Sequence, residues 1–232
     1  MKKNIPAVQI ALADSSNLAR SCLKTSIETN SKYKVMLEAT SGQDLITQLK
    51  TKKTHPDVCI IELSMNKLNG YETIQVIKKI WPEMKTIIIS KYDNEYVIST
   101  LLGASANSYL SNECTVATLT YAIDHVINHG YYHTEKVSRL VFQKANNKSV
   151  LQDIPKRELD YLFQLYNTDY GDKQIASIMG VSHRTVENYH KGLSNKLKIS
   201  TRLGLVRYAI NNGLIYLSAA YLSKSDILEK TG

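Results

Sequence analysis

With 232 residues, 29 Lys and Arg against 21 Asp and Glu, and a formal net charge of +8, the chain can form two ordinary domains with separate cores, and its positive excess suits a polyanionic partner. The excess is uneven: residues 1–130 hold 14 basic and 12 acidic side chains, residues 131–232 hold 15 and 9. Cys22, Cys59 and Cys114 are odd in number and widely spaced within apolar patterns, so neither a disulfide framework nor a zinc site is readable and reduced core thiols are expected; with no apolar run near the ~20 residues of a membrane span and Met1-Lys2-Lys3-Asn4 leading into Pro6, a cytoplasmic chain without a membrane partner is expected.

The first 130 residues alternate between β-rich runs and helical patterns. Val8–Ala13, Val35–Ala39, Val58–Leu63, Thr86–Ser90 and a weaker Ser108–Leu110 read as strands, three of them continuously apolar as buried parallel strands are. Between them lie helical patterns at about Asn17–Glu28, Ser41–Lys50, Gly70–Ile80, Glu95–Leu102 and Thr115–Asn128. Five such units predict an α/β fold with a doubly wound, five-stranded parallel sheet, whose crevice opens at the carboxyl ends of the strands, near Asp14, Glu62, Ser90 and the loop after Leu110.

Residues 131–150 break this alternation and are assigned as a linker, with a possible short helix at Glu135–Phe142 and a polar, unpatterned stretch at Lys144–Ser149. Residues 151–217 then read as an all-α, four-helix domain: Lys156–Tyr166, Lys173–Met179, Ser182–Leu197 and Thr201–Asn211. Residues 218–232 form a tail, and Ile215–Gly232 is a candidate final helix.

The most informative stretch is Val181–Ile199. Wound as a helix from an N-cap at Ser182, it lines Val186, Tyr189, Leu193 and Leu197 on one stripe and Arg184, Glu187, Asn188, Lys191 and Asn195 on the other. Lys173–Met179 and the connection Gly180-Val181-Ser182 precede it, giving helix, short turn, helix, a shape that fits the DNA major groove. Between Arg184 and Arg207, six basic residues are opposed in sequence only by Glu187. His183 and His190 read as surface groups, not metal ligands.

Residues 153–215 resemble the LuxR-type helix-turn-helix of NarL/FixJ response regulators, with Pro155, Arg157 and Glu158 opening the first helix, Ile175-Ala176 in the scaffold helix, Val181-Ser182 at the turn, Thr185-Val186 early in the recognition helix and Lys196-Leu197 near its end. The resemblance implies base reading from Glu187, Asn188 and Lys191, with Arg184 and Thr185 near phosphates; Arg202, from the basic cluster, is expected to add sequence-independent affinity. Many relatives carry a basic residue where this chain has Glu187, which either accepts from a cytosine amino group or positions a neighbour.

The first 130 residues resemble the CheY-like receiver that precedes such domains, on the strand order, Pro56-Asp57 before strand three and Gly103-Ala104 before strand five. That family transfers a phosphoryl group to an aspartate with a bound metal, two acids after strand one, a Ser or Thr after strand four and a lysine after strand five. Here strand one ends in Ala13-Asp14, the acceptor position holds Glu62, Ser90 and Tyr109 are kept, and Asn112 falls where the lysine belongs. The resemblance therefore implies a pseudo-receiver: Mg²⁺ binding weak or absent, phosphate chemistry lost, no catalytic residue. Glu62 is read either as a fixed charge that imitates a phosphorylated aspartate, balanced by Lys91, or as a tolerated acid.

The expected function is that of a sequence-specific transcription regulator binding double-stranded DNA as a homodimer, its receiver setting dimerisation or partner choice. The alternatives are a conventional regulator phosphorylated by a histidine kinase and a heterodimerising partner of another regulator.

Overall fold

Runs such as VCIIE and KTIIIS, apolar on both faces, form strands only where helices cover both sides of a sheet. The computed structural model, which describes residues 6–145 and 154–218, places them so. Five parallel strands, β1 (Val8–Ala13), β2 (Tyr33–Ala39), β3 (Val58–Glu62), β4 (Lys85–Ser90) and β5 (Ser108–Ser111), lie in the order β2-β1-β3-β4-β5. Register runs from Ile10 opposite Val58, through Val58 opposite Lys85, to Ser90 opposite Ser111. The helices are α1 (Asn17–Glu28), α2 (Gly42–Thr51), α3 (Gly70–Ile80), α4 (Glu95–Gly103), α5 (Val116–His129) and α6 (Glu135–Ala145).

On one sheet face Ile10, Leu12, Ile60, Ile87, Ile89 and Leu110 pack with Ile27 of α1 and Leu119, Ile123 and Val126 of α5. The alternate strand residues Ala11, Cys59, Ile61 and Ile88 are equally buried on the other face. Helices α1 to α5 each start where a short polar side chain caps them: Ser16, Ser41, Asn94 and Thr115 accept from the backbone three residues on, and Asn69 forms a reciprocal box with Glu72. Gly70 is required by close approach. A Cβ there would stand 2.7 Å from the Glu62 carbonyl oxygen and 2.8 Å from Leu63 Cα, so α3 begins hard against the end of β3.

The second unit comprises α7 (Lys156–Asn167), α8 (Asp172–Met179), α9 (His183–Leu197) and α10 (Arg202–Asn211), followed by a 3-10 turn at Leu214–Leu217. Tyr161 and Leu162 of α7 are fully buried among Ile175, Val186, Leu193, Leu205, Leu214 and Ile215. The expected fold class is therefore observed. The chain divides into units Met1–Asn147 and Lys148–Gly232, and α6, within the stretch read as linker, lies in the first unit against α4, with Val137 1% exposed and Lys136 paired with Asp93.

Two sequence expectations need correction. Only Cys59 is a core thiol; Cys114 is half-buried and Cys22 is exposed, because α1 turns that position outward while burying Arg20 and Ile27. The candidate final helix starts as a single 3-10 turn instead, since Gly213 reverses the chain at φ +71° and lays Leu214, Ile215 and Leu217 into the core. Residues 219–232 lie outside the described residues, as do 146–153 of the polar linker stretch.

Candidate nucleic-acid interface and acidic pocket

The helix-turn-helix is built by two backbone devices. Gly180 ends α8 in the left-handed conformation at φ +63°, and Ser182 restarts the chain two residues later by accepting from the Thr185 amide at 3.1 Å. The resulting α9 buries Val186 and Leu193 and half-buries Tyr189 and Leu197, while Arg184, Glu187, Asn188, Lys191 and Asn195 are exposed along the opposite side. The two stripes read from the sequence are thus the two faces of the helix. Thr185 is half-buried, with its hydroxyl 2.8 Å from the Ser182 hydroxyl. Glu187 has a companion, His183 one turn earlier, whose Nδ1 is 3.6 Å from Glu187 Oε1.

Not every basic residue of the stretch is free for a polyanion. Lys196 Nζ is 2.7 Å from Glu158 Oε2 on α7, with the two side chains 23% and 12% exposed, and Gly192 gives the Glu158 carboxylate room: a Cβ there would stand 2.8 Å from Glu158 Oε1. Arg202 donates to Asp172 at 3.1 Å and to the Tyr170 carbonyl at 2.8 Å, so it braces α10 on the start of α8. Arg184, Lys191, Lys198 and Arg207 stay exposed. His190, read as a surface group, instead bridges the buried Tyr161 hydroxyl and the Ser200 carbonyl, each at 3.2 Å, tying the end of α9 to the core. No sequence pattern marks that contact, because it joins residues 29 apart.

At the carboxyl end of the sheet, Asp14, Glu62, Ser90 and Asn112 converge as the topology requires. Asp14 Oδ1 accepts from the Ser16 amide at 2.7 Å, and its carbonyl accepts from the buried Arg20 at 2.6 Å. Glu62 Oε1 accepts from the Ser64 hydroxyl at 2.7 Å. Burial pushes its carboxyl up from 4.5 to about 7; the hydrogen bond from Ser64 opposes this, the Asp14 charge adds to it and Lys91 opposes it weakly. Ser90 Oγ accepts from the Tyr92 amide at 3.1 Å, and Lys91 lies over the Tyr92 ring at 5.1 Å. Tyr109 is turned inward, 3% exposed, its hydroxyl donating to the Tyr92 carbonyl at 2.8 Å and the Ser90 carbonyl at 3.3 Å. Asn112 follows β5 directly; its amide donates to the Ser90 carbonyl at 3.0 Å while its side chain is exposed.

A divalent cation of the Mg²⁺ type needs several hard oxygen ligands. Ala13 supplies none, one oxygen of Asp14 already accepts from the Ser16 amide, and burial pushes the Glu62 carboxyl up to about 7. Among the described residues, no three His, Cys, Asp or Glu side chains assemble as a metal site. Sequence reasoning missed Ser64, Arg20 and Tyr92, whose roles depend on how the loops after β1, β3 and β4 fold back. A separate cavity of about 610 Å³, lined by His55, Trp81, Met84 and Ile127 among others, opens at the amino ends of β3 and β4, away from this pocket.

Comparison with known proteins follows the same division. Residues 10–124 match the response regulator receiver domain, and residues 155–209 match the bacterial regulatory proteins of the luxR family. The transcriptional regulatory protein DegU of Brevibacillus brevis is 25% identical over 227 residues, covering 90% of this chain and 95% of DegU. RcsB from Salmonella enterica serovar Typhimurium, bound to promoter rprA in the presence of the phosphomimetic BeF3-, shares the fold at a TM-score of 0.64 and 21% identity, covering 88% of this chain and 98% of that one. A structure of two RcsB dimers on two parallel DNAs matches at 0.59 and 20% identity, covering 89% and 99%.

Proposed function

Because this chain belongs to the response regulators that place a receiver domain ahead of a LuxR-type DNA-binding domain, we propose that it reads a two-fold operator in duplex DNA as a homodimer, with a receiver that works without phosphoryl transfer. One observation carries the first half: α9 presents Arg184, Glu187, Asn188, Lys191 and Asn195 as a continuous exposed polar face, held rigid from behind by Val186, Leu193 and the His190 bridge. Major-groove readers need such a face on a helix fixed to a core. The RcsB complexes with promoter DNA, some dimeric, support the same use here. Among the described residues no helix is long and apolar enough to cross a membrane, in line with a cytoplasmic regulator.

The second half rests on the pocket. With Ala13 at the end of β1, Asn112 after β5 and Glu62 bonded to Ser64, the site departs from the pattern of two acids, a lysine and an acceptor aspartate, which supports this reading. The receiver then serves dimerisation or partner choice. The retained Asp14, Ser90 and inward Tyr109 favour the competing reading, a conventional regulator served by a histidine kinase. Incubation with a small phosphodonor followed by intact mass measurement separates the two: no adduct is expected, and a stoichiometric acid-labile phosphate on Glu62 overturns the proposal. Sedimentation of the chain alone, then mixed with a second regulator, distinguishes homodimer from heterodimer.

A further inference from the structure

Of the exposed side chains on α9, Glu187 is the one a duplex should repel. Its carboxylate only accepts hydrogen bonds, and it would enter a groove walled by phosphates. Facing guanine it meets N7 and O6, and facing thymine O4, so acceptor opposes acceptor. Adenine offers the N6 amino group beside the N7 lone pair. Cytosine alone offers an amino donor with no acceptor on the same base edge.

A carboxylate is useful there only if it is aimed and its charge balanced. His183 is placed to aim it, and the basic residues of the same face supply the charge. It is the first residue of α9, one turn before Glu187 and on the same side, with Nδ1 3.6 Å from Oε1; the two side chains are 45% and 57% exposed, open to a docking duplex. The neighbouring Arg184 and Lys191 add positive charge along the face without reaching Glu187 in an ion pair among those described.

We propose that Glu187 is a specificity-determining residue that fixes one base of each half-site as cytosine, and that His183 is the positioning residue that holds its carboxylate toward the base; this rests on the DNA-binding reading above. Glutamate acts by exclusion as much as by attraction, since three of the four bases place a lone pair where it must sit.

The test is selection of bound duplexes from a randomised pool, using the full chain as wild type, Glu187→Gln, His183→Ala and His183→Gln. Wild type should enrich sites with cytosine at one position per half-site, preferred about tenfold or more over any other base. Glu187→Gln should move that position to adenine, because an amide pairs with N6 and N7 together. His183→Ala should weaken the cytosine preference severalfold while leaving the other positions of the site unchanged, and His183→Gln, which keeps a donor, should restore most of it. An unchanged site in Glu187→Gln overturns the specificity role. A uniform loss of affinity in His183→Ala, with the base preferences intact, overturns the positioning role. Wild type that enriches no sequence would remove the DNA-binding reading itself.

Discussion

Glu62→Gln isolates the charge of the pocket from its shape. Glutamine keeps an oxygen to accept the Ser64 hydroxyl hydrogen bond but cannot ionise. Burial raises the Glu62 carboxyl from 4.5 to about 7, so across that interval the folded protein holds a proton that the unfolded chain has released. Stability therefore falls as pH rises from 4.5 through about 7, and the full penalty stands above it. At about 1.36 kcal/mol per pH unit the interval corresponds to about 3 kcal/mol. Solvent screening of a half-buried group reduces this to about 1–2 kcal/mol between pH about 5.5 and about 8. Trp81, the one tryptophan of the chain, sits in the receiver unit, so its fluorescence during denaturant unfolding reports that unit alone. The variant should equal wild type within a fraction of that sum at the lower pH and exceed it at the higher. A stability difference that is the same at both values, or a variant less stable at pH about 8, refutes the assignment of a carboxyl whose proton affinity is raised by burial. The same measurement bears on mimicry of phosphate: an acid that is half protonated near neutrality and bonded to Ser64 is a poor fixed charge, and Tyr109 is held inward by the Ser90 and Tyr92 carbonyls without it.

Lys191→Ala and Asn188→Ala should each cost about 1–3 kcal/mol on a selected operator, measured by fluorescence anisotropy against a scrambled duplex; unchanged affinity in both would remove α9 as the reading helix. Gly70→Ala should destabilise the receiver by about 1–3 kcal/mol, because the new Cβ meets Glu62 and Leu63 backbone that cannot swing aside, and the Trp81 unfolding midpoint checks it. His190→Ala leaves the buried Tyr161 hydroxyl without its partner and should lower the stability of the DNA-binding unit by about 1–3 kcal/mol in circular dichroism melts, whereas a neutral result would mean the bridge carries no load. Arg202→Ala should act first on stability, through lost contacts with Asp172 and the Tyr170 carbonyl, and a fall in affinity with an unchanged melt would instead mark Arg202 as a phosphate contact.

Periodicity alone was enough to place the five strands, the helices around them and the two faces of α9, because apolar spacing of two or 3.6 residues is a direct consequence of which side chains a strand or helix can bury. It also brought Asp14, Glu62, Ser90 and the loop after Leu110 to one end of the sheet, since a doubly wound topology leaves those strand ends no other place. What it could not assign were partnerships between side chains far apart in sequence. Glu62 accepts from Ser64 and feels the Asp14 charge; Lys196 and Arg202, counted as free charge, are spent on Glu158 and Asp172; half-buried His190 bridges the core Tyr161 and the Ser200 carbonyl; and Cys22 faces solvent. A charge in sequence is only a sum, whereas its availability to DNA, and the proton affinity of a carboxyl, depend on which groups the fold packs within a few ångströms of it, and those distances exist only once the tertiary structure has formed.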